Sequence, residues 1–488
     1  MDLSVNCQPL LQKNDSDDSD TERSGSSDIQ NADIINDTEN EGPKSSEGLM
    51  KFGNPGDRFN IAFLIFYLLG MTTLLPWNFF ITADNYWMYK FRDVPSNTSL
   101  HGRSVLQAEF TSYLSLASNV PNTLFMILGA LYGHRIPLKL RMIGSLLFIL
   151  ALFILTTSLV HVDTDSCELL FYCSVFKSKS VCVPGQQDFF VLTLTTVVIL
   201  NVGTAVMNLG LYGIVGCFPH RYITAVVGGQ ALGGVFAALA NIGSIWLGAS
   251  PQSSALAYFL VADIVLLAAL VAYIALASTT FFKFYMGLRL RPAPYSPSDD
   301  DDSGLVAQNI SFVSIFKRIW VHCISILMVF VVTIGAFPAV TVLINSVNKS
   351  NKTPWNDVYF VPVVGYLLFS ICDYSGRLLA GWWRRPRNSK WILFTMSILR
   401  IVFIPLFIFC NAQPRKSLPV LIDSDAYYIL IMIAFAVSNG YLANITFINV
   451  PSLMSHAEIE SASQIMTAWL SLGTSIGSGL SLLLIRLL

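Results

Sequence analysis

From Tyr222 to Ala262 the chain carries no Asp, Glu, Lys or Arg. An uncharged stretch of that length cannot face water along its course. Crossing roughly 30 Å of hydrocarbon takes about 20 residues at about 1.5 Å of helical rise each. The stretch is too long for one crossing, and Pro251 in GASPQSS marks a break inside it. Apolar runs long enough to cross recur at 60–81, 110–132, 140–160, 189–213, 222–247, 255–280, 319–345, 357–382, 391–411, 426–450 and 461–486. The pattern predicts an all-α polytopic membrane protein with eleven transmembrane helices. Charged residues make up only 12% of the chain, against roughly 25% in soluble proteins. That deficit excludes a soluble enzyme, a nucleic-acid binder and a disordered scaffold.

The near-neutral net charge of −1 hides a division. Residues 1–57 carry a net −9, and the remainder +8. The first segment is rich in Ser, Asp, Asn and Glu, too polar to bury a core, and reads as a disordered acidic tail. It has no signal-peptide pattern, so the first apolar span would target the chain. Its Leu10-Leu11 pair resembles a dileucine sorting signal, which implies sorting adaptors as partners. Beyond the tail, basic loops set the orientation. Arg135, Lys139 and Arg141 follow the second span; Arg384, Arg385, Arg387 and Lys390 follow the eighth. Such loops stay on the cytoplasmic side. The long segment 283–317, with Asp299 to Asp302, falls on the same side. It divides a six-helix unit over 58–282 from a five-helix unit over 318–488. The N-terminus is then cytoplasmic and the C-terminus lumenal or extracellular. Sequons at Asn97, Asn348 and Asn351 fall on the non-cytoplasmic side, where glycosylation acceptors must lie. Cys167, Cys173 and Cys182 share one polar loop on that side, where a disulfide fits better than a metal site.

Ionisable side chains at membrane depth cost several kcal/mol unless paired or hydrated. Asp373 and Arg377, four apart in ICDYSGRLL, share one helix face and can neutralise each other. The pair serves either as a packing device or as the lining of a solute path. In the second role the carboxylate would accept from hydroxyls or amines, and the guanidinium would donate to carbonyls and ring nitrogens. Arg400 has no partner near it in sequence and reads as bonding carbonyls of another helix. Asp263 is equally isolated. Pro76, Trp77 and Asn78 end the first span with a stacking face beside an amide, suited to a planar ring or to an interfacial aromatic belt. Asn201 and Asn208 lie two turns apart in the fourth span. The four glycines between Gly228 and Gly234 favour close helix packing. No GxxxxGK[ST] or HExxH is present. No nucleophile–base pattern is seen either, so no cofactor and no enzyme activity are expected.

Several of these segments together resemble the equilibrative nucleoside transporter family. They are LLPWNFFITA, HRIPLKLRMIGSL, TIGAFPAVT, DYSGR, LRIVFIPLF and SNGYLA, in family order over roughly 58–488. The resemblance implies a six-plus-five helix bundle similar to the major facilitator fold, working by alternating access. It implies facilitative, sodium-independent transport of nucleosides such as adenosine and uridine, and of nucleobases. Leu74 and Trp77 would pack around the base, and Asn78 would support the first helix close to the site. Asn208 falls where many members carry a base-binding Gln. Asp373 and Arg377 match the pair that binds the ribose hydroxyls, and Phe337 and Pro338 a segment near the permeation path. The acidic tail, Leu10-Leu11 and YWMYKFR look most like the lysosomal branch, which is proton-sensitive. A lysosomal or late-endosomal membrane is the expected compartment, with the plasma membrane as the alternative. A facilitator of organic cations or other small polar solutes, and a nucleoside-sensing receptor that transports nothing, are the competing readings.

Overall fold

The computed structural model describes residues 57–91, 105–132, 137–162, 186–248, 250–288, 312–348, 353–383, 385–386, 389–413, 415, 419–450, 453–454 and 458–488. The expectations placed on Leu10, Leu11, Asn97, Asn351, Cys167, Cys173 and Cys182 lie outside these residues.

The described chain is helical throughout. Its first half comprises α1 (Ile61–Thr82), a short α2 (Asp84–Lys90), α3 (Val105–Tyr132), α4 (Leu138–Leu159), α5 (Gln186–Val215), α6 (His220–Leu247), α7 (Pro251–Ser278) and α8 (Thr280–Leu288). The second half comprises α9 (Phe312–Ala336), α10 (Leu368–Trp382), α11 (Lys390–Leu399), α12 (Phe403–Ile408), α13 (Asp425–Asn449) and α14 (Ile459–Leu487). A helix closes its own backbone hydrogen bonds, which hydrocarbon requires. Among the described residues, ten helical segments are both long and apolar enough to cross a membrane. The second of the eleven expected spans lies in α3, which is 28 residues long and carries Asn119, Pro121 and Asn122 midway. The break in the uncharged stretch falls between α6 and α7. There Ser250 accepts from the Ser253 backbone N–H in a capping box, with Pro251 in the first turn. Helix also enters both ends of the expected loop 283–317, through α8 and α9.

Two spans depart from regular α-helix. The eighth is π-helical over Trp355–Tyr359 and Val361–Leu367 before it becomes α10. The ninth tightens to 3-10 geometry over Arg400–Val402 between α11 and α12, just before Pro405, which has no N–H to continue the ladder.

Each half contains helix pairs in backbone contact. A Cβ on Gly70 of α1 would strike Val226 O of α6, and one on Gly229 would strike Tyr67 O. In the second half, a Cβ on Gly440 of α13 would strike Asp373 O of α10, and one on Gly376 would strike Val437 O. Only glycine allows these crossings. The halves meet along α3 and α14 through hydroxyl and amide groups. Ser481 donates to Ser112 at 3.1 Å, Asn119 to Ser478 at 2.9 Å, and Thr123 lies 2.9 Å from Ser475.

The apolar core is asymmetric between the two ends of the bundle. At the end where α1 finishes, residues of the second half such as Phe337, Tyr366, Phe369, Phe435 and Leu484 join one cluster with the whole first half. At the end where α1 begins, the second half has its own separate cluster, including Ile315, Ile319, Ala380, Tyr441 and Met466. The halves are therefore fused by apolar packing at one end and have distinct cores at the other.

Candidate functional site

Asp373 and Arg377 sit in the second half of the eighth span, which runs over Trp355–Trp382. Arg377 Nε donates to Asp373 Oδ2 at 2.8 Å. The i,i+4 spacing made this pair legible in advance. Its surroundings come from other helices. Asn439 of α13 donates through Nδ2 to Asp373 Oδ1 at 2.6 Å. Asn439 Oδ1 in turn accepts from Arg400 Nη1 at 3.1 Å and lies 2.7 Å from Thr333 Oγ1 of α9. Arg400, 2% exposed, also donates to Phe435 O at 3.2 Å and Val329 O at 3.4 Å, and lies over the Phe435 ring. Asp373 is thus held by one guanidinium directly and by a second through an amide.

The Arg377 side chain keeps 28% of its surface exposed. Its Nη groups have no protein partner among the described residues. The donors able to meet a solute are thus open, while Nε fixes the carboxylate. Asn444 of α13 donates to Arg377 O at 2.8 Å, which ties α13 to the ion-pair helix. Asp263 is not paired with Arg400: Thr157 donates to its Oδ2 at 2.8 Å, away from this cluster.

The first half faces the pair with a second polar cluster. Asn208, buried on α5, accepts from Gln230 of α6 at 3.5 Å. Gln230 Nε2 also donates to Thr73 Oγ1 at 2.9 Å, and its Oε1 accepts from Tyr212 at 3.0 Å. Tyr212 lies within electrostatic reach of Arg377 and is 39% exposed, although it stands between the halves. Asn201 does not share this role, since its amide donates back to Val197 O at 2.8 Å.

Leu74, Trp77 and Asn78 lie at i, i+3 and i+4 on α1, so they share a face. All three are half-buried. Asn78 lies beside Gly233 and Gly234, and a Cβ on Gly234 would stand 2.9 Å from Ser370 Oγ, one turn before Asp373. That contact brings α1, α6 and α10 together at one level. Tyr67 lies within electrostatic reach of Tyr374 across the same boundary. Phe337 and Pro338 are buried. The Phe337 ring stacks on Phe369 with centroids 3.8 Å apart, and Phe369 is one turn from Asp373. The stack lies at the fused end of the core. Asn348 is exposed in the loop after the seventh span.

Thr73, Gln230, Tyr212 and Asn439 were not picked out from the sequence as site residues. Their one local signal is a polar side chain in an apolar helix, and many such groups only bond their own backbone. No group of His, Cys, Asp and Glu that could hold a metal occurs among the described residues.

The nucleoside transporter family matches residues 194–486. Equilibrative nucleoside transporter 1 of Rattus norvegicus is 33% identical over 469 residues, covering 88% of this chain and 98% of the relative. Equilibrative nucleoside transporter 2 of Homo sapiens is 32% identical over 473 residues, covering 89% and 99%. Equilibrative nucleoside transporter 3 of Rattus norvegicus is 32% identical over 446 residues, covering 88% and 90%. Among solved structures, a bacterial homologue of the human lysosomal transporter Spinster, in an inward-facing, unoccupied conformation, shares the fold. Its TM-score is 0.51 at 15% identity, over 88% of this chain and 82% of that one. A third of the residues are thus shared along nearly the whole length of these relatives, and the family match spans the Asp373–Arg377 helix: this chain belongs to the equilibrative nucleoside transporter family.

Proposed function

We propose that this protein carries nucleosides, and nucleobases, down their gradients by alternating access, without sodium. The observation that carries this reading is the paired carboxylate and guanidinium inside the eighth span, with the Arg377 Nη donors unpaired among the described residues and Tyr212 of the Asn208–Gln230–Tyr212 cluster in the other half within electrostatic reach. A nucleoside has two chemically distinct ends. Asp373 would accept from the ribose hydroxyls and Arg377 would donate to ribose or ring acceptors. Asn208 would bond the base while Leu74 and Trp77, supported by Asn78, pack on its faces. A ligand touching both halves biases their relative position only through contacts that differ between the two states. The end-to-end asymmetry of the core, with one end fused and the other split, supports this reading.

An organic cation suits the site less well. Asp373 already faces Arg377 directly and Arg400 through Asn439, so a cationic solute would meet a surplus of positive charge. A neutral polyol with an aromatic ring meets no such penalty.

We place the N-terminus in the cytoplasm and the C-terminus in the lumen or outside, from the basic loops, which makes the split end the cytoplasmic one. The acidic tail and Leu10-Leu11 support sorting by adaptors to lysosomal or late-endosomal membranes, with glycosylation at Asn97, Asn348 and Asn351. Uptake of radiolabelled adenosine and uridine into proteoliposomes, at pH 5.5 and 7.4 and with or without a sodium gradient, tests the reading. Saturable, sodium-independent uptake supports it, and greater uptake at pH 5.5 supports the lysosomal assignment. Binding without uptake would establish the receptor instead.

A further inference from the structure

The hydrogen bonds around Asn208 have a fixed polarity that begins one helix away. Thr73 donates its single hydroxyl hydrogen to Gly70 O at 2.8 Å. Its oxygen can then only accept from Gln230, at 2.9 Å. The Gln230 atom facing Thr73 must therefore be the amide nitrogen, and the carbonyl oxygen faces Tyr212, whose hydroxyl donates to it at 3.0 Å. The second Gln230 N–H is directed at Asn208 across 3.5 Å, so the Asn208 atom on that side is its carbonyl oxygen. Each orientation follows from the one before it, because an amide presents donors at one corner and an acceptor at the other. Thr73 is fully buried, so water does not compete for the first link.

The last amide in the chain is left facing outward. Asn208 Nδ2 has no protein partner among the described residues, and it is not one of the sealed, unpartnered polar atoms. It keeps some accessible surface one turn from Tyr212, although Asn208 as a whole is only 8% exposed. We infer that Thr73 and Gln230 set the base preference of the transporter by holding Asn208 with its donor turned to the substrate space, so that the site selects a base edge presenting an acceptor there. The inference rests on the nucleoside reading. It assigns Thr73 and Gln230 as positioning residues, acting through Asn208 without touching the base.

The test compares uptake of two matched pairs, uridine with cytidine and inosine with adenosine, by the full chain in proteoliposomes. Within each pair the exocyclic oxygen acceptor becomes an amine donor while the adjacent ring nitrogen changes from donor to acceptor, so the ratio reads a donor contact at the exocyclic position. Asn208→Asp removes the donor directly. Gln230→Glu makes the relay acceptor-only, so Asn208 turns its own donor inward and its oxygen outward. Thr73→Val, nearly isosteric, releases Gln230 from its fixed orientation. All three variants are expected to shift the uptake ratio in each pair toward the amine-bearing base, by about fivefold for one exchanged hydrogen bond. A change in packing alone would lower all four substrates together. Parallel losses, or unchanged ratios, would overturn the inference. If Gln230→Glu does not reach the membrane, Thr73→Val decides. If the unaltered protein carries none of the four, the transport reading itself fails, before any variant is needed.

Discussion

Asn439 Nδ2 donates to Asp373 Oδ1 at 2.6 Å, while Arg377 Nε donates to the other carboxylate oxygen at 2.8 Å. Both oxygens are thus held, from two different helices, and the carboxylate has little freedom to turn. Asn439 is itself fixed, because Arg400 donates to its oxygen at 3.1 Å. A buried arginine with no carboxylate in direct contact thereby reaches Asp373 through one amide.

Asn439→Ala removes this link and leaves the Arg400 guanidinium short of an acceptor in an apolar setting. Leaving a buried charged donor unpaired costs about 1–3 kcal/mol or more. Nucleoside uptake is expected to fall at least tenfold, with Asn439→Asp no better, since it sets a second carboxylate against Asp373. Uptake normalised to protein at the membrane measures this, and full uptake by either variant would contradict it.

Arg377→Lys keeps the charge and loses the separation of roles within the guanidinium, in which Nε holds Asp373 while the Nη groups remain open. One ammonium cannot reproduce that fork. Uptake is expected to drop tenfold or more at unchanged abundance. A loss of abundance instead, shared by Asp373→Ala, would mark the pair as a packing device whose breakage costs about 3–5 kcal/mol.

The glycine crossings should be sensitive to single methyl groups. A Cβ at Gly440 meets Asp373 O and Arg377 N, backbone atoms that cannot swing aside, whereas a Cβ at Gly243 meets nothing within 4 Å. Gly440→Ala is expected to destabilise by about 1–3 kcal/mol and to impair uptake through the displaced ion pair. Gly243→Ala should behave as the unaltered protein. Thermal unfolding in detergent, followed by size-exclusion chromatography, separates the two.

The α3–α14 seam predicts a reversible lock. Ser112 and Ser481 hydroxyls stand 3.1 Å apart at the fused end, close enough for two cysteine sulfurs to bond at about 2.05 Å after a small shift. If transport separates the halves at that end, a Ser112→Cys, Ser481→Cys protein, with the other cysteines replaced, should lose uptake on oxidation and regain it on reduction. Oxidised protein that still transports would show that this part of the seam does not open.

Hydropathy is a local property, and helices satisfy their backbones locally, so the sequence by itself determined the membrane class, the placement of the helices and the turn at Pro251. It also determined the Asp373–Arg377 pair, because four residues along one helix suffice to bring the two together. The contacts between helices follow from packing across long stretches of chain, so tertiary structure alone decided them. Asn439 and Asp373 are 66 residues apart, and Gln230 and Thr73 are 157 apart. No spacing rule links such positions. Tertiary structure also decided that Phe337 is buried in a stack on Phe369, that Arg400 reaches Asp373 through an amide, and that the two halves are fused at one end only. Each of these depends on which faces of separate helices meet, and hydrocarbon, being apolar like the helices it surrounds, leaves that choice to glycine contacts and buried polar groups.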